Sequence, residues 1–169
     1  PKDVWQELHE QGRIDHHPVF PGRAGPAARR IEGDDDVLDV IALMRIAVVN
    51  NFFPPRVGGS SHLSESLAHE YAMAGHEVLV ITAAFGDAPA EERSQRGYRV
   101  VRLPAWGMPK LGLSIDFDIT FASRPSNLWR VRRLLDEFAP DVVHQHGQFL
   151  DLSWITGRWA RRRGVPVLL

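Results

Sequence analysis

Residues 44–82 read MRIAVVNNFFPPRVGGSSHLSESLAHEYAMAGHEVLVIT, and the order of patterns in that stretch decides the fold class. Arg45–Asn50 (RIAVVN) is a short apolar run without alternation, the pattern of a strand buried on both faces. After a loop, Leu63, Leu67, Tyr71 and Ala74 recur at helical spacing, so a helix is expected from Ser60 to Ala74. Ser60 or Ser61 is its expected N-cap, and Gly75 stands just past its end. Glu77–Thr82 (EVLVIT) is a second apolar run. A strand, a helix and a strand in such close succession form a right-handed crossover unit, which builds a parallel sheet.

Downstream the alternation continues. Tyr98–Leu103 (YRVVRL) reads as a third strand, expected toward the periphery of the sheet because charged and apolar residues are mixed in it. Leu128, Val131, Leu134, Leu135 and Phe138 mark a helix that Pro140 ends, and Asp141–His146 (DVVHQH) is a fourth strand. A helix from Leu150 to Arg163 is capped by Gly164, and Val165–Leu169 enters a fifth strand. The expected fold is α/β, a Rossmann-like doubly wound parallel sheet covered on both faces. Such sheets bind ligands beyond the carboxyl ends of their strands, here residues 50–59, 82–87, 104–123 and 144–150.

The chain changes character at Met44, so two regions are expected: 1–43 as an irregular appendage or upstream segment, and 44–169 as the folded domain. The first region holds His16-His17-Pro18, Phe20-Pro21-Gly22 and Gly25-Pro26, a density of breakers that excludes long regular elements. Five acids lie between Glu32 and Asp39, and Val37, Leu38, Val40 and Ile41 allow one short amphipathic helix. His9, His16 and His17 fit no ligand spacing, and no metal is expected.

The 169 residues are 44% hydrophobic and 24% charged, a globular profile that excludes a disordered or collagenous chain. With no cysteine there is neither a disulfide framework nor a thiolate nucleophile or metal site. The net charge of −1 conceals an asymmetry: from Arg124 onward eight arginines face four acids, an excess suited to phosphates or an anionic membrane surface, although solvated arginines on the outer faces of two helices are the favoured reading. The arginine helices carry no nucleic-acid recognition motif, and no nucleic-acid partner is expected. No apolar run is long enough to span a membrane and no secretory leader is visible, so the expected address is cytoplasmic, with peripheral contact at the inner face of the membrane.

The loop from Asn50 to Gly59 carries the most chemical information. Gly58 and Gly59 lead directly into a helix, where bare backbone N–H groups and the helix dipole receive a phosphate or diphosphate; the alternative is a flexible connector. The turn is too long for a G-x-G-x-x-G dinucleotide fingerprint and contains Pro54-Pro55, so NAD and FAD are not expected. Walker A and G-x-S-x-G motifs are also missing. In the fourth strand, period-two alternation puts His144 and His146 on one side, at the carboxyl end.

The stretch from Met44 to Thr82 resembles the opening of GT-B glycosyltransferases of the family usually called GT4. The resemblance rests on Phe53-Pro54-Pro55-Arg56-Val57-Gly58-Gly59, on His62, and on Ala72-Met73-Ala74-Gly75-His76-Glu77-Val78-Leu79-Val80-Ile81-Thr82. A second motif, Pro140-Asp141-Val142-Val143-His144-Gln145-His146-Gly147, follows at the expected separation, and Arg163-Gly164-Val165-Pro166-Val167 also fits. The resemblance covers residues 44–169 and implies the N-terminal, acceptor-side half of a two-domain enzyme that moves a sugar from a nucleotide-sugar to an acceptor, with no cofactor and no metal. It implies donor-phosphate contacts at Gly58 and Gly59 and a catalytic, cleft-facing His146. Asn51, His62, His144 and Trp106 are the candidates for the acceptor or cleft side. The long apolar stretch from Pro104 to Ser123, with Trp106, Met108, Leu111 and Leu113, is a candidate for acceptor or membrane contact, against a loop simply folded onto the sheet.

The family's second domain, which carries an E-x7-E motif and most nucleotide contacts, has no counterpart before Leu169. The chain alone is therefore expected to be inactive and to expose its last strand as an adhesive edge. The competing expectation is a non-catalytic Rossmann-like binding or scaffold module.

Overall fold

The computed structural model describes residues 43–107, 120–147 and 150–169. Eight strands are present among them: β1 Arg45–Val49, β2 Glu77–Ala83, β3 Glu91–Arg93, β4 Arg99–Leu103, β5 Trp106–Gly107, β6 Thr120–Phe121, β7 Val142–Gln145 and β8 Val167–Leu168. Three helices, α1 Gly59–Met73, α2 Pro125–Phe138 and α3 Asp151–Arg163, connect them. The main sheet has the order β3-β4-β2-β1-β7-β8, and β5 and β6 form a separate antiparallel ribbon. Five of the six strands run parallel; β3 alone is antiparallel, paired to β4. The expected Rossmann-like α/β sheet is what the chain forms.

The two faces follow from the pleat, which sends successive side chains to opposite sides. From β1, Ile46 and Val48 point to the α1 side, where Val80, Val100 and Phe53 complete a small apolar cluster with Tyr71 packed against it. Ala47 and Val49 point the other way, into a larger cluster with Ile81, Leu103, Leu135, Leu152 and Trp159 beneath α2 and α3. Every residue of β1 after Arg45 is buried, which is why the run RIAVV shows no alternation.

Four expectations require correction. β4 is an interior strand, since β3 pairs along its outer side and Val100–Leu103 are buried. β3 was invisible to patterning because its three residues, Glu91-Glu92-Arg93, hold no apolar side chain. The Pro104–Ser123 stretch is closed at its base by the β5–β6 ribbon, with Trp106 paired to Phe121; Met108, Leu111 and Leu113 lie outside the described residues.

The fourth correction concerns α1. Gly58, rather than a serine, is the N-cap, and no side chain caps the helix. Ser60 and Ser61 lie inside the first turn, where other groups engage their hydroxyls: Asn50 Nδ2 donates to Ser60 Oγ (2.9 Å) and Ser61 Oγ donates to Arg56 O (2.6 Å). The buried positions of α1 are Ser61, Ser64 and Ala68, whereas Leu63 is 47% exposed. Small side chains let the helix axis come close to the sheet, so the leucine stripe is displaced from the buried face. The other helix ends are as expected: Ala139 in left-handed conformation precedes Pro140, and Gly164 (φ +66°) closes α3, whose last turn carries Arg161–Arg163 against the negative end of the helix dipole.

Candidate functional site

The carboxyl ends of β1, β2, β4 and β7 lie side by side, and the loop after β1 is fixed there by buried polar side chains. Asn50, 1% exposed, is the central fastener. Its Nδ2 donates to Ser60 O (3.1 Å), Ser60 Oγ (2.9 Å) and Ser64 Oγ (2.6 Å), and its Oδ1 accepts the Phe52 N–H (3.2 Å). One amide thus ties the end of β1 to the first turn of α1.

Arg102 fastens the loop from the other side. Its side chain is 3% exposed, and its guanidinium donates to Pro54 O (2.7 Å), Pro89 O (3.1 Å) and Glu92 Oε1 (2.7 Å). A buried guanidinium with three acceptors is a satisfied one, and the cost of its desolvation is offset only while they stay in place. Arg56 lies over the rings of Phe52 (4.3 Å) and Phe85 (5.2 Å) and donates to Thr120 Oγ1 (3.1 Å).

This scaffold presents Gly58 and Gly59 at the open end of α1, both exposed. A Cβ added at either would meet no atom within 4 Å. The first N–H groups of a helix have no intrahelical acceptor, so with no capping side chain those of α1 are available to an anion. His62, exposed in the same first turn, flanks them.

Asn51 is placed differently from the expectation of an open cleft residue. It is 2% exposed, and its Nδ2 donates to Thr120 O (2.8 Å) and to Asp151 Oδ1 (2.7 Å) at the start of α3. Asn51 Oδ1 and Asp151 Oδ2 are both buried without a hydrogen-bond partner. Two orphaned acceptors at the carboxyl edge of the sheet are open to a hydrogen-bond donor such as a hydroxyl or a water.

The two histidines also separate. His144 lies in β7 on the α1 side, where its Nδ1 meets Tyr71 Oη at 2.8 Å. Burial, with a further contribution from neighbouring His146, holds the His144 imidazole below the ordinary histidine range and so in its neutral form. Burial likewise pushes the Tyr71 phenol upward, so the phenol keeps its proton, and the direction of its hydrogen bond with Nδ1 follows the tautomer of the imidazole. His146 follows the strand, its N–H bonded to Val49 O (2.8 Å) and its ring half-buried. A Cβ on the next residue, Gly147, would come 3.4 Å from Leu150 and 3.5 Å from Asn50 Oδ1, so the His146-Gly147 turn passes close to the asparagine that fastens the glycine loop. Between the histidines, Gln145 points to the opposite face and donates to Ser153 O (2.7 Å) and Thr156 Oγ1 (2.9 Å), anchoring α3.

The fold therefore brings Gly58, Gly59, His62 and His146 to one edge, with Asn51 beneath it. His144 belongs to a packing contact, and Trp106 stands on the ribbon, 46% exposed and stacked on Phe121 at 5.0 Å. Asn50, Arg102 and Asp151 escaped the sequence reading. Asparagine directly after a buried strand was the available signal for Asn50; nothing in YRVVRL distinguishes Arg102 from a solvated arginine.

Residues 58–169 match the family described as Glycosyl transferase 4-like domain. A GDP-mannose-dependent alpha-mannosyltransferase of Mycobacterium tuberculosis (strain CDC 1551 / Oshkosh) is 34% identical over 128 residues, 74% of this chain and 31% of that protein. A GDP-mannose-dependent alpha-(1-6)-phosphatidylinositol dimannoside mannosyltransferase of Mycobacterium tuberculosis (strain ATCC 25177 / H37Ra) is 29% identical over 126 residues, 75% of this chain and 30% of that protein. The chain thus spans about a third of the length of the curated relatives it matches. Among solved structures, sucrose-phosphate synthase from Thermosynechococcus elongatus shares the fold, with a TM-score of 0.54 at 18% identity over 70% of this chain and 30% of that one. Matched by the family over residues 58–169 and 34% identical to a relative over 74% of its length, this chain belongs to the GT4 glycosyltransferase family, of GT-B type.

Proposed function

We propose that this chain is the N-terminal, acceptor-side half of an enzyme that transfers a sugar from a nucleotide-sugar to an acceptor. The observation that carries the reading is that two motifs distant in sequence lie side by side at the carboxyl edge of the sheet: the uncapped, glycine-lined start of α1, bonded to Asn50, and the His146-Gly147 turn, which passes close to Asn50. In the reaction, the bond from the sugar's anomeric carbon to the diphosphate oxygen breaks, a bond to an acceptor oxygen forms, and the acceptor proton leaves. Charge grows on the departing diphosphate, and backbone N–H groups of α1 at Gly59 and beyond are oriented to receive it before the reaction begins. His146 hydrogen-bonds the transferred sugar or the acceptor, and the orphaned oxygens of Asn51 and Asp151 accept hydrogen bonds from hydroxyls nearby.

The names of the relatives favour GDP-mannose as donor, and one of them names a phosphatidylinositol dimannoside, which favours a glycolipid among the acceptor classes of lipid, glycan and small molecule. No resident cofactor or metal enters this reading, and turnover should survive a chelator. The domain division at residue 44, a second domain supplying the other wall of the cleft, inactivity of the chain alone, and action at the cytoplasmic face of a membrane belong to the same proposal. Its test is donor turnover by the enzyme that carries this chain as its N-terminal half. His146→Ala should lower kcat by about a hundredfold or more, and Gly59→Val should raise the donor KM by obstructing the diphosphate seat. Unchanged turnover in both variants would overturn the site, and transfer by the isolated chain would overturn its incompleteness.

A further inference from the structure

The charged edge strand β3 and the loop that leads to Gly58 and Gly59 are joined by one side chain, Arg102, which the transfer reaction itself does not touch. Tyr98, Val100 and Arg102 alternate onto the α1 side of β4, where Phe53 sets its ring edge-on to Tyr98 at 6.4 Å between centroids. The segment from Phe52 to Pro55 therefore leans sideways from the end of β1, past β2, and comes to rest on β4. Arg102 holds it there through Pro54 O, and the same guanidinium reaches Pro89 O in the loop after β2 and Glu92 Oε1 on β3. Glu92 stands opposite Val100, one diagonal step from Arg102 on the same face. The Arg102 backbone N–H donates to Ala90 O (2.7 Å), so main chain and side chain both grip the segment that enters β3. Three segments at the ligand edge thus converge on one cation.

The three acceptors are unequal. Two are neutral carbonyls and the third is a carboxylate at 2.7 Å, so Glu92 is the counter-charge that keeps the guanidinium in a site only 3% exposed. Glu92 itself is 37% exposed and faces solvent with its other side. If its charge is removed, the desolvated cation is left with two carbonyls, and turning toward water relieves it at the expense of the Pro54 bond. The loop then keeps its attachments at Asn50, which accepts the Phe52 N–H, and at Ser61, which donates to Arg56 O, but loses the hydrogen bond that ties its middle to the sheet. Gly58 lies four residues beyond Pro54, so slack there lets Val57 and Gly58 shift across the mouth of the α1 terminus. The neighbouring carboxylate offers a contrast. Glu91 also secures β3, through Arg99 and Arg130, but has no bond to the glycine loop among the described residues.

We infer that Arg102, locked by Glu92, is the positioning strut of the glycine loop, and that the edge strand β3 thereby sets affinity for the donor. The inference rests on Gly58 and Gly59 being the diphosphate seat. Its test compares Glu92→Gln and Arg102→Lys with Glu91→Gln as control, by amide hydrogen exchange in this chain without donor and by GDP-mannose turnover in the enzyme that carries the chain as its N-terminal half. Lysine keeps the charge of Arg102 but not the fork that spans three acceptors. Both strut variants should speed exchange at the Phe52 and Arg56 N–H groups by about tenfold and leave Val80 in β2 at the parent rate. Both should raise the KM for GDP-mannose by about fivefold with kcat little changed, and Glu91→Gln should alter neither quantity. Parent-like exchange in both strut variants would overturn the strut, as would a rise that includes Val80 in both, the mark of plain loss of stability. Faster loop exchange with an unchanged KM would overturn the link to the donor, and an equal effect of Glu91→Gln would reduce the pair to support of the edge strand. Absence of GDP-mannose turnover in the parent enzyme would instead overturn the transferase reading, and the exchange rates would still decide the strut.

Discussion

Beneath α2 and α3 the sheet is sealed by large apolar side chains such as Leu135, Leu152 and Trp159, whereas beneath α1 the close contacts are Ser61, Ser64 and Ala68 held through Asn50. The first arrangement gains its free energy from area removed from water, which is insensitive to small shifts in direction. The second has a smaller apolar cluster and relies more on geometry, because hydrogen bonds fix distance and angle. The side that carries most of the apolar burial is therefore not the side that aims the helix terminus at the ligand edge.

Substitutions that act on one side only separate the two roles. The largest effect should come from Leu135→Ala, which empties a fully buried site in the larger cluster and should cost about 3 kcal/mol of stability by urea denaturation. Asn50→Ala removes the donors that hold α1 to β1 and should cost about 1–2 kcal/mol. It should also impair donor binding more than Leu135→Ala does at matched stability; equal impairment would erase the distinction between the faces.

A weaker effect is expected from pH. Because His144 is held below its ordinary value of about 6.5, the unfolded chain binds a proton that the folded chain refuses. Its contribution to stability is thus complete above pH 6.5 or so and declines as pH falls from there toward the folded value. His144→Gln should flatten that part of the urea midpoint profile between neutral and mildly acid pH, and an unchanged profile would show that other histidines govern it. The smallest effect on stability should be that of Gly59→Ala, where an added Cβ touches nothing; a change within about 1 kcal/mol, on the stabilising side, is expected for a helix position.

The sheet was legible because burial on both faces leaves runs rich in valine and isoleucine, as in RIAVV and EVLVITA, and their shortness and β-branched content separate them from a buried helix. The glycine loop and the histidine turn were legible as spacings. What stayed hidden has a common cause, that polar residues acquire their role from partners remote in sequence. Asn51 meets Asp151 across the chain, Arg102 reaches back to Pro54, and β3 pairs with β4 where Arg99 and Arg130 flank Glu91. The leucine stripe of α1 misled for a related reason: periodicity reports a preferred face, and the closeness of helix to sheet decides whether leucine fits there.

The two rims of the sheet make the molecule directional. At one rim β3 is short, reversed and charged, which discourages any further strand from pairing; at the other, β8 runs with its neighbours and shows Val167 and Leu168. Growth of the hydrogen-bonded ladder is therefore blocked on the left and permitted on the right, like a zipper with a stop at one end. A protein engineer wishing to complement this unit with a separately expressed piece would deliver it beside β8, in parallel orientation.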